Sequence, residues 1–151
     1  LIIFNRNLLK CLKNRVIYII MSEREIIENL NVDEFKELLQ KMSNKDVLLV
    51  KFSAEWCKPC KKIKPLVENK YKEMPKNVNI VEIDIDESLE LYMVFKTKKM
   101  LTGVPSLFAF HGDVKKEDNL WYVPDRSVSG SNETKIEEFM NHTRDKATML
   151  K

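Results

Sequence analysis

The chain has 151 residues, the length of one domain or slightly more. Its 44% hydrophobic and 32% charged residues can bury a core, which argues against a disordered tail and against a membrane protein. Only 3 glycines and 5 prolines exclude a low-complexity protein, and 3 cysteines are too few for a disulfide-stapled scaffold.

The formal net charge of +3 comes from the first twenty residues. Residues 1–20 contain four cations and no acid, so residues 21–151 hold 22 basic and 23 acidic side chains, a net charge of −1. A strongly basic domain is typical of nucleic-acid binding. The charge balance of residues 21–151 therefore argues against nucleic acid as a partner.

Residues 1–20 form a basic and apolar leader in which cations interrupt apolar residues at roughly helical spacing. Its longest apolar run, Val16 to Met21, is too short for a spanning helix, and its charge order differs from that of a signal peptide. One interpretation is a basic amphipathic helix for a membrane surface or an organellar presequence. The favoured interpretation is that the natural protein starts at Met21, with residues 21–151 as a single domain and the leader an artefact of upstream translation or cloning.

Strand and helix patterns alternate after the leader. Glu25–Leu30 is predicted as a short edge strand, and Asn31 with Glu34 predicts the capped start of a first helix. The near-continuous apolar run Asp46–Ser53 predicts a strand buried on both faces. A second helix is predicted over about Cys57–Lys72.

The second half of the chain continues the alternation. Val78–Ile85 predicts a strand, Glu87–Lys99 a helix, and Ser106–Phe110 and Ser127–Ser129 two further strands. A terminal helix is predicted shortly after Gly130. The order β-α-β-α-β-α-β-β-α predicts one α/β domain with a mixed sheet between helices.

The segment Trp56-Cys57-Lys58-Pro59-Cys60 is where we expect the chemistry of the chain. Cys57 follows a predicted strand and is expected at a helix N-terminus, where unpaired N–H groups and the helix dipole stabilise a thiolate. Lys58 adds positive charge, and Pro59 suits the first helical turn. Cys60, one turn further on, can reach the sulfur of Cys57.

Three interpretations of the two cysteines compete. A zinc site needs two further ligands, and Cys11, His111 and His142 form no pair at ligand spacing. Two inert core cysteines would not usually flank a Lys-Pro pair. A redox dithiol that follows a buried strand is the favoured interpretation, and we expect no bound metal.

Residues 50–65, VKFSAEWCKPCKKIKP, resemble thioredoxin, and the resemblance extends along nearly all of residues 25–145. The segment TGVPS at residues 102–106 is similar to the family's cis-proline segment, which implies a cis Val104–Pro105 bond. Gly112 and Gly130 match glycines of the family's hairpin turn and of the turn before its last helix. The resemblance implies a thioredoxin-like three-layer α/β/α sandwich with a mixed central sheet of four to five strands.

The resemblance also implies a mechanism, in which Cys57 attacks a partner's disulfide and Cys60 resolves the mixed disulfide. The redox-active Cys57–Cys60 disulfide would be the only cofactor. The implied partners are disulfide-containing proteins and a thioredoxin reductase or equivalent donor. We expect the protein to be a cytoplasmic monomer, with membrane contact only if the leader is native. The residues expected to support the motif or to contact substrate are Trp56, Lys58, Pro59, Gly103, Val104, Pro105 and Gly130.

One departure from the family pattern concerns the candidate proton-relay pair. The family usually has a buried acid six residues before the first cysteine and a lysine on the adjacent strand, whereas this chain has Lys51 and Glu82 at those places. Our hypothesis is that Glu82, with Lys51 as counter-ion, accepts the proton of Cys60. The alternative is a structural ion pair that makes a polar residue tolerable in the core.

Two further departures keep other functions open. Lys58 replaces the commoner glycine of the spacer, which favours a more oxidising disulfide oxidase or isomerase as an alternative to a reductase. An extra hairpin segment, Lys115–Pro124, is expected at the sheet end opposite the disulfide, with Trp121 and Tyr122 covering the local core rather than forming a partner patch. That segment and Lys51 leave a thioredoxin-fold binding module or chaperone-like adaptor as a second alternative.

Overall fold

The computed structural model describes residues 17–21, by their backbone, and residues 24–151. The strands are β1 (Ile17–Met21), β2 (Arg24–Glu28), β3 (Val47–Ser53), β4 (Val78–Asp84), β5 (Ser106–His111) and β6 (Arg126–Ser129). The helices are α1 (Val32–Lys41), α2 (Lys58–Glu73), α3 (Leu89–Thr97) and α4 (Glu133–Leu150), with a short 3-10 turn at Asp118–Leu120.

The strands form one mixed sheet in the order β1-β2-β4-β3-β5-β6. The three central strands β2, β4 and β3 are parallel, whereas β1, β5 and β6 each join antiparallel to a neighbour. One buried cluster packs α1 and α3 on one face of the sheet, and a second packs α2 and α4 on the other. The predicted three-layer α/β/α sandwich with a mixed sheet is confirmed.

Strand β1 corrects two expectations about the start of the chain. The strand predicted at Glu25–Leu30 is present as β2, but its predicted edge position was wrong, because β1 pairs along β2 from Ile17↔Glu28 to Met21↔Arg24 and forms the edge itself. Within the described residues, the sheet therefore has the five predicted strands and a sixth. The helical interpretation of the leader fails for residues 17–21, whose β-branched isoleucines favour a strand. For residues 1–16, which lie outside the described residues, it stays a prediction.

The start of α1 confirms the predicted cap. The Asn31 side chain accepts a hydrogen bond from the Glu34 N–H at 2.8 Å, and the Glu34 carboxylate accepts one from the Asn31 N–H at 2.9 Å. Two of the helix's free N-terminal donors are thereby satisfied. None of the helices in the described part of the chain is long and apolar enough to cross a membrane.

The segment Lys115–Pro124 between β5 and β6 folds back onto the core. The Trp121 ring lies 6.1 Å from that of Phe35 and 5.8 Å from that of Phe95, so it covers the α1–α3 cluster as predicted. Lys116 holds the segment through an ion pair with Asp125 at 2.8 Å. The hairpin leaves β5 at the end where β3 begins, which is the sheet end opposite the disulfide.

Candidate functional site

The two cysteines of the motif lie at the N-terminus of α2 and form a disulfide, with Cα atoms 5.3 Å apart. Cys57 is the N-cap residue, its backbone is extended, and its sulfur accepts a hydrogen bond from the Cys60 N–H at 3.2 Å. The first turn of α2 contains Pro59 and no acidic residue. A thiolate at this sulfur would be stabilised by the N–H group and by the positive end of the helix dipole.

Burial does not distinguish the two sulfurs, since Cys57 is 3% and Cys60 8% exposed. The distinction comes from position: the Cys57 sulfur occupies the place of a capping acceptor, whereas Cys60 lies within the first helical turn. Lys58, which lies between them in the sequence, is the first residue of α2, and its side chain is exposed.

Trp56 precedes the disulfide and is 65% exposed. Its indole N–H donates a hydrogen bond to Asp86 Oδ2 at 2.9 Å, and the Asp86 N–H in turn donates to Asp84 Oδ1 at 2.9 Å. A large apolar ring is thus held in place although most of it faces solvent. Sequence reasoning missed Asp86, because its partner lies 30 positions away along the chain.

The Val104–Pro105 peptide bond is cis, as the resemblance implies. The β3–β5 register places the start of β5 beside the end of β3, from which the disulfide loop departs. Gly130 donates its N–H to the Pro105 carbonyl at 2.9 Å, and its φ of +89° is strained for any other residue. The Gly103 carbonyl accepts from the Ser106 hydroxyl at 2.8 Å. The disulfide therefore shares one end of the sheet with the four residues Gly103, Val104, Pro105 and Gly130.

Lys51 and Glu82 face each other across β3 and β4 and form an ion pair, with Lys51 Nζ 3.3 Å from Glu82 Oε1. The side chain of Lys51 is 8% and that of Glu82 23% exposed. Both line a cavity of about 420 Å³ that Cys60 also lines, which we call the Cys60 cavity. The predicted ion pair is confirmed; its role in proton transfer stays a prediction.

Two further ionisable groups near this pair were not foreseen. Glu28 on β2 lies opposite Glu82 and lines the Cys60 cavity. Its pKa is raised by burial and by the charge of Glu82, with Lys51 opposing the shift. Tyr71 of α2 is fully buried, and its hydroxyl makes no hydrogen bond of ordinary geometry. Burial, and then the charge of Glu82, raise the Tyr71 pKa well above its usual value.

Sequence pattern carries no signal for Glu28, because its proximity to Glu82 depends on strand register. Within residues 17–21 and 24–151, no three His, Cys, Asp or Glu side chains are grouped so that they could hold a metal ion. Among the described residues, the reactive groups of the site are therefore the two cysteines, joined in a disulfide, and the charged side chains around them.

Comparison with known sequences matches residues 26–142 to the thioredoxin family model. Thioredoxin from Ophiophagus hannah is 32% identical over 108 residues, covering 72% of this chain and 89% of that protein. Thioredoxin from Bacillus subtilis is 44% identical over 86 residues, covering 57% and 79%. Mouse Thioredoxin domain-containing protein 8 is 42% identical over 64 residues, covering 40% of this chain and 46% of that protein.

Solved structures of thioredoxins also superpose on this chain. Fasciola hepatica thioredoxin superposes with a TM-score of 0.58 at 25% identity, covering 77% of this chain and 97% of that one. Plasmodium falciparum thioredoxin gives a TM-score of 0.62 at 21% identity, covering 87% and 97%, and this likeness bears on the fold alone.

Proposed function

Because the chain belongs to the thioredoxin family, we propose that it reduces disulfides of partner proteins through Cys57 and Cys60. Family membership and a CxxC pair at disulfide distance make it a thiol–disulfide oxidoreductase in the general sense. The proposal adds the direction of electron flow and the role of each cysteine. The observation that carries the role of Cys57 as the attacking thiolate is its sulfur at the N-cap of α2, where a thiolate is stabilised. The reductive direction rests on the resemblance of the chain to thioredoxins.

In the first step the Cys57 thiolate attacks one sulfur of the partner's disulfide. The partner's S–S bond breaks, its other sulfur leaves as a thiolate that takes a proton from water, and a mixed disulfide on Cys57 forms. In the second step Cys60 loses its proton and attacks the Cys57 sulfur. The mixed disulfide breaks, the partner's second sulfur leaves, and the Cys57–Cys60 disulfide holds the oxidising equivalents. Two electrons pass to the partner.

We assign the proton acceptor of the second step to Glu82, with Lys51 as its counter-ion. The support is that Cys60, Glu82 and Lys51 line one cavity of about 420 Å³. A cavity of this size has room for water, so a proton can pass from the thiol to the carboxylate through a water molecule. The ion pair between Lys51 Nζ and Glu82 Oε1 at 3.3 Å orients the carboxylate.

We propose that partners are recognised at the end of the sheet where the disulfide lies. Exposed Trp56 supplies an apolar contact, and the backbone around Pro105 and Gly130 pairs with an extended partner segment. A thioredoxin reductase or an equivalent dithiol donor returns the disulfide to the dithiol, so the disulfide is the only cofactor required. The protein is proposed to act as a monomer in the cytoplasm.

The test combines turnover with trapping. The wild type is expected to reduce insulin when supplied with a thioredoxin reductase and NADPH, and Cys57→Ser is expected to abolish the reaction. Cys60→Ser should accumulate a mixed disulfide on Cys57, which mass spectrometry of the trapped adduct locates. Absence of both insulin reduction and trapped adducts would overturn the reductase proposal. Partner binding that persists in the Cys57→Ser/Cys60→Ser double variant would then identify a binding module instead.

A further inference from the structure

Three charged side chains lie side by side across the parallel centre of the sheet. Glu28 of β2 is opposite Glu82 of β4, and Glu82 is opposite Lys51 of β3. Adjacent strands lie about 4.8 Å apart, so each group has the next as its immediate neighbour. All three line the Cys60 cavity on the face covered by α2. We call Glu28, Glu82 and Lys51 the charged row.

The position of Glu28 is fixed by the residue that follows it. Asn29 adopts a φ of 55°, in the left-handed region that asparagine tolerates better than most residues. Its N–H donates to the Glu82 carbonyl at 3.1 Å, and its side-chain oxygen accepts from the Asp84 N–H at 3.0 Å. These bonds tie the end of β2 to β4 and hold Glu28 beside Glu82.

The charges around Glu28 set its affinity for a proton. Within the charged row two carboxylates share a single ammonium, which leaves one negative charge when both acids are ionised. Burial and the charge of Glu82 raise the pKa of Glu28, so it takes up a proton more readily than a solvent-exposed acid. The other titratable groups facing this region are Cys60, Lys61, Lys64 and Tyr71 of α2, Asp84 of β4, and Glu55 and Glu87 of the adjoining loops.

We propose that Glu28 is the proton outlet of the resolving step, receiving from Glu82 the proton that leaves Cys60 and passing it to water. The inference rests on the proposed reductase function. The Cys60 S–H bond breaks, its proton moves to Glu82, and its electron pair forms the bond to the Cys57 sulfur. The partner sulfur leaves with the electron pair of the mixed disulfide. The proton then moves to Glu28 and to solvent, which returns the charged row to its starting charge.

Since Glu28 acts through Glu82, it is a positioning residue, and its test must separate proton transfer from structure. Fully reduced protein is mixed with a saturating synthetic peptide disulfide, and release of each peptide thiol is followed between about pH 5 and 9. The first release reports attack by Cys57, and the second reports resolution by Cys60. Glu87→Gln is the matched control, because it removes a negative charge from the same cavity outside the charged row.

Glu28→Gln is expected to slow the second release about tenfold, a small part of what general acid–base catalysis contributes, and to leave the first unchanged. The acid-side fall in the second rate should move to lower pH, since a row with one fewer negative charge binds its proton less readily. Glu28→Asp should restore most of the rate. In a Glu82→Gln background, Glu28→Gln should have no further effect.

Three results would overturn the inference: an unchanged pH profile in Glu28→Gln, an equal slowing of both releases, or the same slowing in Glu87→Gln. These outcomes differ from failure of the proposed function, in which the wild type itself would release no peptide thiol. Loss of folding stability in Glu28→Gln with an unshifted pH profile would assign the residue a structural role only.

Discussion

The ion pair between Lys51 and Glu82 gives the sharpest test of how the charged core is built. Lys51→Met removes the ammonium while keeping a flexible apolar chain of similar length. In the variant, Glu82 loses the partner that lies 3.3 Å away, and Glu28 remains as a like-charged neighbour. We expect marked destabilisation, because a partly buried carboxylate is left without its counter-ion.

The magnitude follows from distance and burial. At 3.3 Å the gross attraction is about 5 kcal/mol for an effective dielectric constant of about 20. Breaking a fully buried pair costs about 3–5 kcal/mol, but Glu82 is 23% exposed and lines a cavity, so hydration offsets part of the loss. The expected decrease in the free energy of unfolding is roughly 2–3 kcal/mol, or a fall in Tm of about 10 °C.

A double-mutant cycle measures the coupling free energy between Lys51 and Glu82. It uses urea denaturation of four proteins: the wild type, Lys51→Met, Glu82→Gln and the double variant. The double variant should recover much of the stability lost in Lys51→Met, because the uncompensated charge is gone. Lys64→Met is the matched control: its pair with Glu68 is 3.9 Å long and largely exposed, so a change below about 0.5 kcal/mol is expected. If the two single effects simply add in the double variant, the pair contributes no coupling and the reasoning is refuted.

Two other predictions concern the sheet end opposite the disulfide. Gly112→Ala would place a Cβ 1.9 Å from the Ser43 carbonyl oxygen, so the backbone must shift, and urea denaturation should show a loss of roughly 2–3 kcal/mol. A loss within measurement error would contradict this. Burial lowers the pKa of His111, with Asp125 opposing, so its contribution to stability is complete above the unfolded pKa of about 6.5 and is lost as pH falls through the folded pKa. His111→Gln should flatten the stability–pH curve below about pH 6.5, and a curve of unchanged steepness would exclude this role.

Much of the fold was predictable because local signals agree with the tertiary structure. The apolar run over β3 is buried along nearly its whole length, as a central strand requires. The Asn31–Glu34 capping box needs only neighbouring residues to form. The position of Cys57 at a helix start could likewise be inferred from the strand before it and from Pro59 after it.

The parts that could not be predicted depend on which strands become neighbours. Glu28 looks like an ordinary polar residue at a strand end until register places it beside Glu82, 54 positions away. Asp86 is unremarkable in sequence until the turn after β4 brings it to the Trp56 indole. The sequence does not indicate strand β1, because the cations interspersed in residues 1–16 favour a helix over the whole leader.

The exchanged order of Lys51 and Glu82 and the presence of Glu28 are best understood as one feature. An acid at position 51 would have β4 on one side and the apolar Leu107 of β5 on the other. An acid at position 82 instead has Lys51 on one side and β2 on the other, so only this arrangement gives it a second carboxyl neighbour. The exchange therefore places the ammonium on β3, at one end of the row, and the two carboxylates on β4 and β2. Under the proposed function, that order gives a proton from Cys60 an acceptor, Glu82, with Glu28, whose pKa is raised by burial and by the charge of Glu82, directly beyond it.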